Sequence, residues 1–203
     1  MNSSVPRTIA IVRHGETDWN LARRIQGRTE VPLNATGRLQ AEATGRLLAS
    51  REVREQWGEW SALHSSPLAR AIETARIVGT GIGLDTDPRI DDALWERDFG
   101  PAEGVSVVDA HERWPGLVIP GSESLEVLAE RAAAAFDRLL AEAPGSIVVA
   151  HGTMIRAGLS HLTGTEVPRV LNGEVWVLQR GAGSTVAPGS LGLQSLGISH
   201  PAN

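Results

Sequence analysis

The chain of 203 residues contains no cysteine and no tyrosine. Without cysteine there are no disulfides, no thiol catalysis and no cysteine-ligated zinc. Lysine is missing as well, and all 19 basic residues are arginine. No lysine can then serve as a Schiff base, a P-loop cation or a general base; GC-rich coding rather than chemistry accounts for that bias. No apolar run approaches the ~20 residues of a membrane span. The opening MNSSVPRTIAIVRHG is interrupted by charge too soon for a signal peptide. A cytoplasmic location is therefore expected. Excess positive charge is also absent. A formal net charge of −5 speaks against nucleic acid or an anionic membrane as partner, because such partners require a basic footprint.

What remains is an ordinary globular composition, 41% hydrophobic and 21% charged. The length suits one domain over residues 1–203, and such a chain buries about 70% of its unfolded surface. Residues 181–203, rich in Gly, Ser and Pro, read as a weakly structured tail. Ile9–Val12 predicts a strand buried on both faces. NATGRLQAEATGRLLAS predicts a helix with Leu39, Ala43 and Leu47 at helical spacing, capped by Asn34 or Thr36. SALHSS predicts a second strand, PLARAIETARIVG a helix with proline in its first turn, and LDTDPRI an edge strand. LWERDFGPAEG reads as loop and VSVVDAHERWPG as a short helix stopped by Pro115. A long helix is capped by Ser124, with Leu125, Leu128, Ala132, Phe136 and Leu139 as its apolar stripe. SIVVAHG, TMIRAGLSHLTG and GEVWVLQR predict a strand, a helix closed by Gly164 and a late strand. This alternation predicts an α/β three-layer sandwich, a mostly parallel central sheet with helices on both faces.

In such sheets ligands bind beyond the carboxyl ends of the strands. The first strand delivers Arg13 and His14 there, the second Ser65, Ser66 and, a turn later, Arg70, and the third His151 and Gly152. Two arginines and two histidines thus converge on one edge. Two histidines with Glu96 or Asp98 could ligate a transition metal. Fixed positive charge beside a divalent cation is unfavourable, however. The same arginines suit a phosphate dianion, and helices starting after His14, Ser66 and His151 would aim N–H groups at it. An anion site is the favoured reading, with no metal and no cofactor.

VRHGETDWN resembles the signature of the histidine phosphatase superfamily, also called phosphoglycerate mutase-like. The resemblance extends through IQGRTEVPLNATGRLQA, HSSPLARAIETA, LWERDFGPAEG, PGSESLEVLAERA and VVAHGTMIRAGL, in family order over most of residues 8–180. It implies a phosphomonoesterase acting on small phosphorylated metabolites through a phosphohistidine. By position, His14 would be the nucleophile. Arg13, Arg70 and His151 would hold the phosphate oxygens. Asn20 would share their pocket, Gln26 and Gly27 would line its substrate side, and Glu96 would be the general acid. A carboxyl group beside a phosphate dianion is favoured in its protonated form, which suits donation to a leaving alkoxide.

Other residues take plainer readings. His64 is structural or at the rim, and His111 and His161 are surface or packing residues. Asp98 and Glu103 shape their loop. Ser65 and Ser66 cap, since no Gly-x-Ser-x-Gly elbow surrounds them. The tryptophans are core or cover, with Trp95 placed near the pocket mouth. Many relatives carry an aromatic where Ala102 stands, a change that would open the rim, and Glu30 replaces a usual aspartate in a structural role. The alternatives are a cofactor-dependent phosphoglycerate mutase and a non-catalytic module binding a phosphorylated ligand. A mutase wants extra basic residues over its pocket. The segment 100–125 offers only Arg113, which favours the phosphatase, while Arg23, Arg24 and Arg28 could bind a second anionic group from the other side. The expected partner is a small phosphomonoester, and oligomeric state is left open, a homodimer included.

Overall fold

The computed structural model describes residues 7–181 and 190–197. Strand β1 (Arg7–Arg13) buries Thr8 through Val12 and lies in the middle of a six-stranded sheet. With β2 (Ala62–Ser65), β3 (Arg89–Ile90), β4 (Ser146–Ala150), β5 (Val175–Arg180) and β6 (Leu191–Leu196), the order is β3-β2-β4-β1-β5-β6. The ladders β3–β2, β2–β4 and β4–β1 are parallel; β1–β5 and β5–β6 are antiparallel. The sheet is therefore mixed: β3, β2, β4 and β1 run parallel, and β5, the expected late strand, and β6 pair antiparallel on the other side of β1.

Strand β6 corrects the expectation of a weakly structured tail for residues 191–196. Backbone pairing to β5 from Val175↔Leu196 to Arg180↔Leu191 holds this Gly- and Ser-containing segment in place. Leu191 and Leu193 pack on one face and Leu196 on the other. The rest of that tail, 182–189 and 198–203, lies outside the described residues.

Alternation along the strands builds two cores. Ile9, Ile11, Val148, Ala150 and Leu178 face helices α6 (Leu125–Glu142) and α7 (Gly152–Thr163). Ala10, Val12, Ile147, Val149 and Val177 face α2 (Ala35–Ala49), α3 (Arg51–Trp57) and α4 (Ala69–Ile82). The result is the expected three-layer α/β sandwich. A smaller cluster of Ile25, Phe99, Ala102, Ala110 and Ile119 joins the short helix α5 (Val107–Arg113) to the body.

Caps fall where local chemistry puts them: Asn34 accepts from the Gly37 N–H and Ser124 from the Val127 N–H. Pro67 sits one residue before the Leu68 N-cap rather than inside the first turn of α4. Two apolar stripes are corrected. Helix α2 buries Gly37, Ala41, Thr44, Gly45 and Leu48, while Leu39 is 61% exposed. Its small-residue face lets α4 approach closely, which a leucine face would not. Leu125 is 41% exposed at the start of α6, but Leu128, Ala132, Phe136 and Leu139 are buried as expected. No described helix is long and apolar enough to cross a membrane.

Candidate active site

Register brings the strand ends together. Arg13 pairs with Ala150 and Ser65 with Val149, and the chain continues the pattern with His14 N–H donating to Ala150 O (3.0 Å) and Ser66 N–H to Val149 O (3.0 Å). His14, Ser66 and His151 therefore emerge side by side, the two imidazole centroids 5.1 Å apart. The turn after His14 needs glycine. A Cβ on Gly15 would stand 2.2 Å from the carbonyl oxygen of Gly37 at the start of α2, so any other residue would push the turn after His14 off that helix.

A cavity of about 370 Å³ opens at this edge. Of the sequence-predicted site residues, Arg13, His14, Asn20, Arg24, Gln26, Gly27, Arg70, Glu96 and Gly152 line it. His151 does not; it is fully buried, its ring beside that of His14. Arg13 donates from Nη1 to Val170 O (2.8 Å), and Arg70 from Nη1 and Nη2 to Thr29 O (2.8 Å) and Gly27 O (2.7 Å). Their Nε–H groups are buried without partners, as is Nδ1 of His151. These unspent donors are what an incoming anion would use.

Both histidines are uncharged at neutral pH. Burial, then the charges of Arg70 and Arg13, pushes His14 well below its ordinary value. Burial, Arg70, His14 and Arg13 do the same to His151. Burial lowers Arg13 to about 10, which leaves it cationic. The Nδ1 of His14 lies 2.7 Å from Gly15 O. In the neutral ring Nδ1 must be the protonated nitrogen, since a carbonyl only accepts, and Nε2 carries the free lone pair. At His151 the partner is Ser66 Oγ, 2.7 Å from Nε2. Ser66 Oγ also accepts from the Leu68 N–H (3.4 Å). It is best satisfied by giving its own hydrogen to Nε2, so that His151 presents Nδ1–H. Sequence reasoning assigned Ser66 only a capping role; its fixing of the His151 tautomer emerges from the strand register.

Glu96 is set by α7. Its carboxylate accepts from the N–H groups of Arg97 (2.8 Å), Met154 (3.0 Å) and Thr153 (3.1 Å). The helix N-termini thus differ from expectation. The first-turn N–H groups of Thr153 and Met154 are spent on Glu96, and that of Ala69 at the start of α4 on Glu30 (3.2 Å). Helix α1 (Asp18–Leu21) is closed by its own Thr17–Asn20 capping box. Arginines, not helix N-termini, supply the positive field here. Among the described residues no three His, Asp or Glu side chains gather in a way that could hold a metal ion.

Further residues move from where the sequence put them. His111 lines the cavity instead of lying idle on the surface, and Arg23, Arg156 and Arg169 join it. Arg156 and Arg169 carried no local signal, because only chain folding brings α7 and the loop before β5 to this edge. Arg28 is withdrawn by Asp98 (3.7 Å) and Glu123 (3.6 Å). Trp95 is outside the lining, with Arg28 over its ring at 5.7 Å. Ala102 is fully buried under the α5 segment, so it does not open the rim. Glu103 shapes its loop, accepting from Arg28 N–H (2.9 Å) and Thr29 N–H (2.9 Å). Asn172, unmarked by the sequence, donates to His14 O (3.0 Å) and Asn20 Oδ1 (3.1 Å), bracing the turn. His200 lies outside the described residues.

A family model for the histidine phosphatase superfamily (branch 1) matches residues 9–183. The chain is 37% identical over 159 residues to the protein named uncharacterized phosphatase PhoE of Bacillus subtilis (strain 168), covering 77% of each. It is 34% identical over 197 residues to phosphoglycerate mutase-like protein 4 of Arabidopsis thaliana, covering 84% of this chain and 83% of that one. Among solved structures, a mycobacterial glucosyl-3-phosphoglycerate phosphatase aligns with a TM-score of 0.75 and 26% identity, over 94% of this chain and 98% of the other. Family match, relatives and sheet agree: the chain belongs to the histidine phosphatase superfamily, branch 1.

Proposed function

We propose that this protein is a phosphomonoesterase that hydrolyses small phosphorylated metabolites through a phosphohistidine on His14. The observation that carries this reading is the state of His14: neutral, its Nδ1 tied to Gly15 O at 2.7 Å, its Nε2 left to react at the wall of an arginine-lined cavity.

Phosphoryl transfer asks for positioning and charge neutralisation. Arg13 and Arg70 bind the phosphoryl oxygens through donors that are otherwise unspent, and His151, buried beside His14 outside the cavity lining, offers its free Nδ1–H to the phosphoryl group that His14 carries. Nε2 of His14 attacks phosphorus as the bond to the leaving oxygen breaks. Glu96, as the general acid, gives a proton to that oxygen. Water then attacks the phosphohistidine, Glu96 takes back a proton, and the P–N bond breaks to release phosphate. General acid–base help of this kind is worth about 10²–10⁴-fold. No step calls for a metal, and activity should survive exhaustive chelation.

Acid quench and base quench of enzyme mixed with substrate test the reading. An acid-labile, base-stable phosphoryl group on the wild type, absent in His14→Ala, is the expected outcome; full activity in His14→Ala would overturn it. A cofactor-dependent mutase is the second reading, favoured by Arg23, Arg24, Arg156 and Arg169 in the wall, which could retain a bisphosphate. Isomerisation of 3-phosphoglycerate primed with 2,3-bisphosphoglycerate, faster than phosphate release, would promote it. A binding-only module would be free to lose the nucleophile or the acid, and this chain keeps both.

A further inference from the structure

Glu96, the acid of the proposed reaction, stands on irregular backbone. The short turn Asp92–Leu94 ends just before it, and residues 95–99 belong to no helix or strand. A carboxyl group that must meet a leaving oxygen needs its backbone fixed, because a misplacement of about 1 Å can cost about 100-fold in rate. Two N–H groups of α7 hold the carboxylate itself. The chain that carries it is held by other means.

Arg131 and Glu123 supply them. Arg131 rises from α6 and donates from Nη1 to Ala93 O (2.8 Å) and Trp95 O (2.9 Å). Its Nε and Nη2 donate to Glu123 Oε1 (3.0 Å) and Oε2 (2.9 Å), a bidentate pair. Glu123, just before the Ser124 cap, grips the other side of Glu96. Its N–H donates to Asp98 O (2.9 Å), its Oε2 accepts from Asp98 N–H (3.3 Å), and its carbonyl accepts from Arg97 Nε (2.8 Å). Residues 93, 95, 97 and 98 are thus tied to one ion pair, with Glu96 between them. Arg28 adds to the group: its Nη2 lies 3.6 Å from Glu123 Oε2, and its Nε donates to Glu96 O (3.4 Å).

Stability alone does not account for the pair. Its side chains are 22% and 10% exposed, and taking two charges out of water offsets most of their attraction. What the pair adds is geometry, since the planar fork of an arginine fixes its partners at set angles. Neither side chain belongs to the cavity wall, so any effect on the reaction passes through Glu96. We propose that Arg131 and Glu123 are positioning residues for the general acid, their bidentate pair setting the backbone of 93–98 so that Glu96 meets the leaving oxygen. The proposal rests on Glu96 being the acid.

The test is the first step in single turnover, with benzyl phosphate against p-nitrophenyl phosphate. The esters are alike in shape, but a benzyl alkoxide needs a proton to leave and a p-nitrophenolate does not. Arg131→Met should slow benzyl phosphate about 10-fold or more and leave p-nitrophenyl phosphate within about threefold. Apparent affinity for either ester should stay within about twofold. The lost charge acts on both esters alike, so their ratio isolates the acid. Glu96→Gln should produce the same imbalance, and adding Arg131→Met to it should produce no more. Glu123→Gln, a milder change, should show the imbalance in smaller degree and serves where Arg131→Met does not fold. Amide hydrogen exchange reads the same device without turnover: the Thr153 and Met154 N–H groups should exchange about 10-fold faster in Arg131→Met, with those of β1 unchanged. Equal slowing of both esters, or unchanged exchange, overturns the proposal, as does an imbalance seen in Glu96→Gln but in neither Arg131→Met nor Glu123→Gln. No imbalance in Glu96→Gln itself would sink the acid assignment and the proposal with it. Hydrolysis of neither ester by the wild type would tell against the phosphatase reading, with the exchange rates still deciding whether the pair holds Glu96.

Discussion

Mild acid should destabilise this protein before its carboxylates titrate, because the site is built around two uncharged histidines. His14 is 3% exposed and His151 fully buried, and burial with Arg70 and Arg13 beside them holds both well below the value near 6.5 of an unfolded chain. Between 6.5 and the folded values the unfolded state binds more protons than the native one. Stability therefore rises with pH and is lost as pH falls. The limiting slope is about 1.4 kcal/mol per pH unit for each histidine. From pH 6.5 to 5.5 the rounded onset leaves about 1 kcal/mol each, so about 2 kcal/mol for the pair. Urea unfolding followed by the fluorescence of the six tryptophans at pH 8, 6.5 and 5.5 measures it. His14→Gln removes one titrating group and should cut the drop by about half, to about 1 kcal/mol. Equal drops in wild type and variant, or no drop below pH 6.5, would refute the assignment of neutral histidines to the native site.

Ser66→Ala removes the group that fixes the His151 tautomer. A buried hydrogen bond of about 1–1.5 kcal/mol makes the expected loss in kcat about 10-fold, with a shifted acidic limb of the pH–rate profile and rescue by Ser66→Thr; an unchanged profile would assign Ser66 to packing alone. Glu96→Gln should slow alkyl phosphates far more than aryl phosphates in single-turnover kinetics, since a phenolate leaves without a proton donor; equal losses would place the acid elsewhere. The same change sets an amide NH₂ against backbone N–H groups and should cost about 1–3 kcal/mol of stability. Gly158→Ala would put a Cβ 2.5 Å from that of Ala132 where α7 meets α6. Thermal denaturation should show about 1–3 kcal/mol of overpacking, and a melting temperature within one degree of wild type would show that the helices can part.

By itself the sequence determined what depends on near neighbours. Apolar runs ending in Arg13–His14 and His151–Gly152 marked strands that deliver polar groups to one edge. Asn34 and Ser124 marked helix starts, because a cap needs only the N–H three residues on. His14 and His151 were legible for the same reason, since each follows its strand directly; Arg70 stands a turn further on, and Glu96 was marked by the family resemblance alone. Tertiary structure decided whatever needs a partner far along the chain. Helical spacing allows more than one stripe on α2, and only the approach of α4 selects Ala41, Gly45 and Leu48 over Leu39. The segment 191–196 lacks the pattern of a strand and becomes one because β5 offers it an unpaired edge. Ser66 reaches His151 across 85 positions, and Arg156 and Arg169 enter the cavity from elements with no local mark of function. Local order follows from short-range sterics and capping, but the side chains that share a cavity are chosen by register and packing, which no short window of sequence contains.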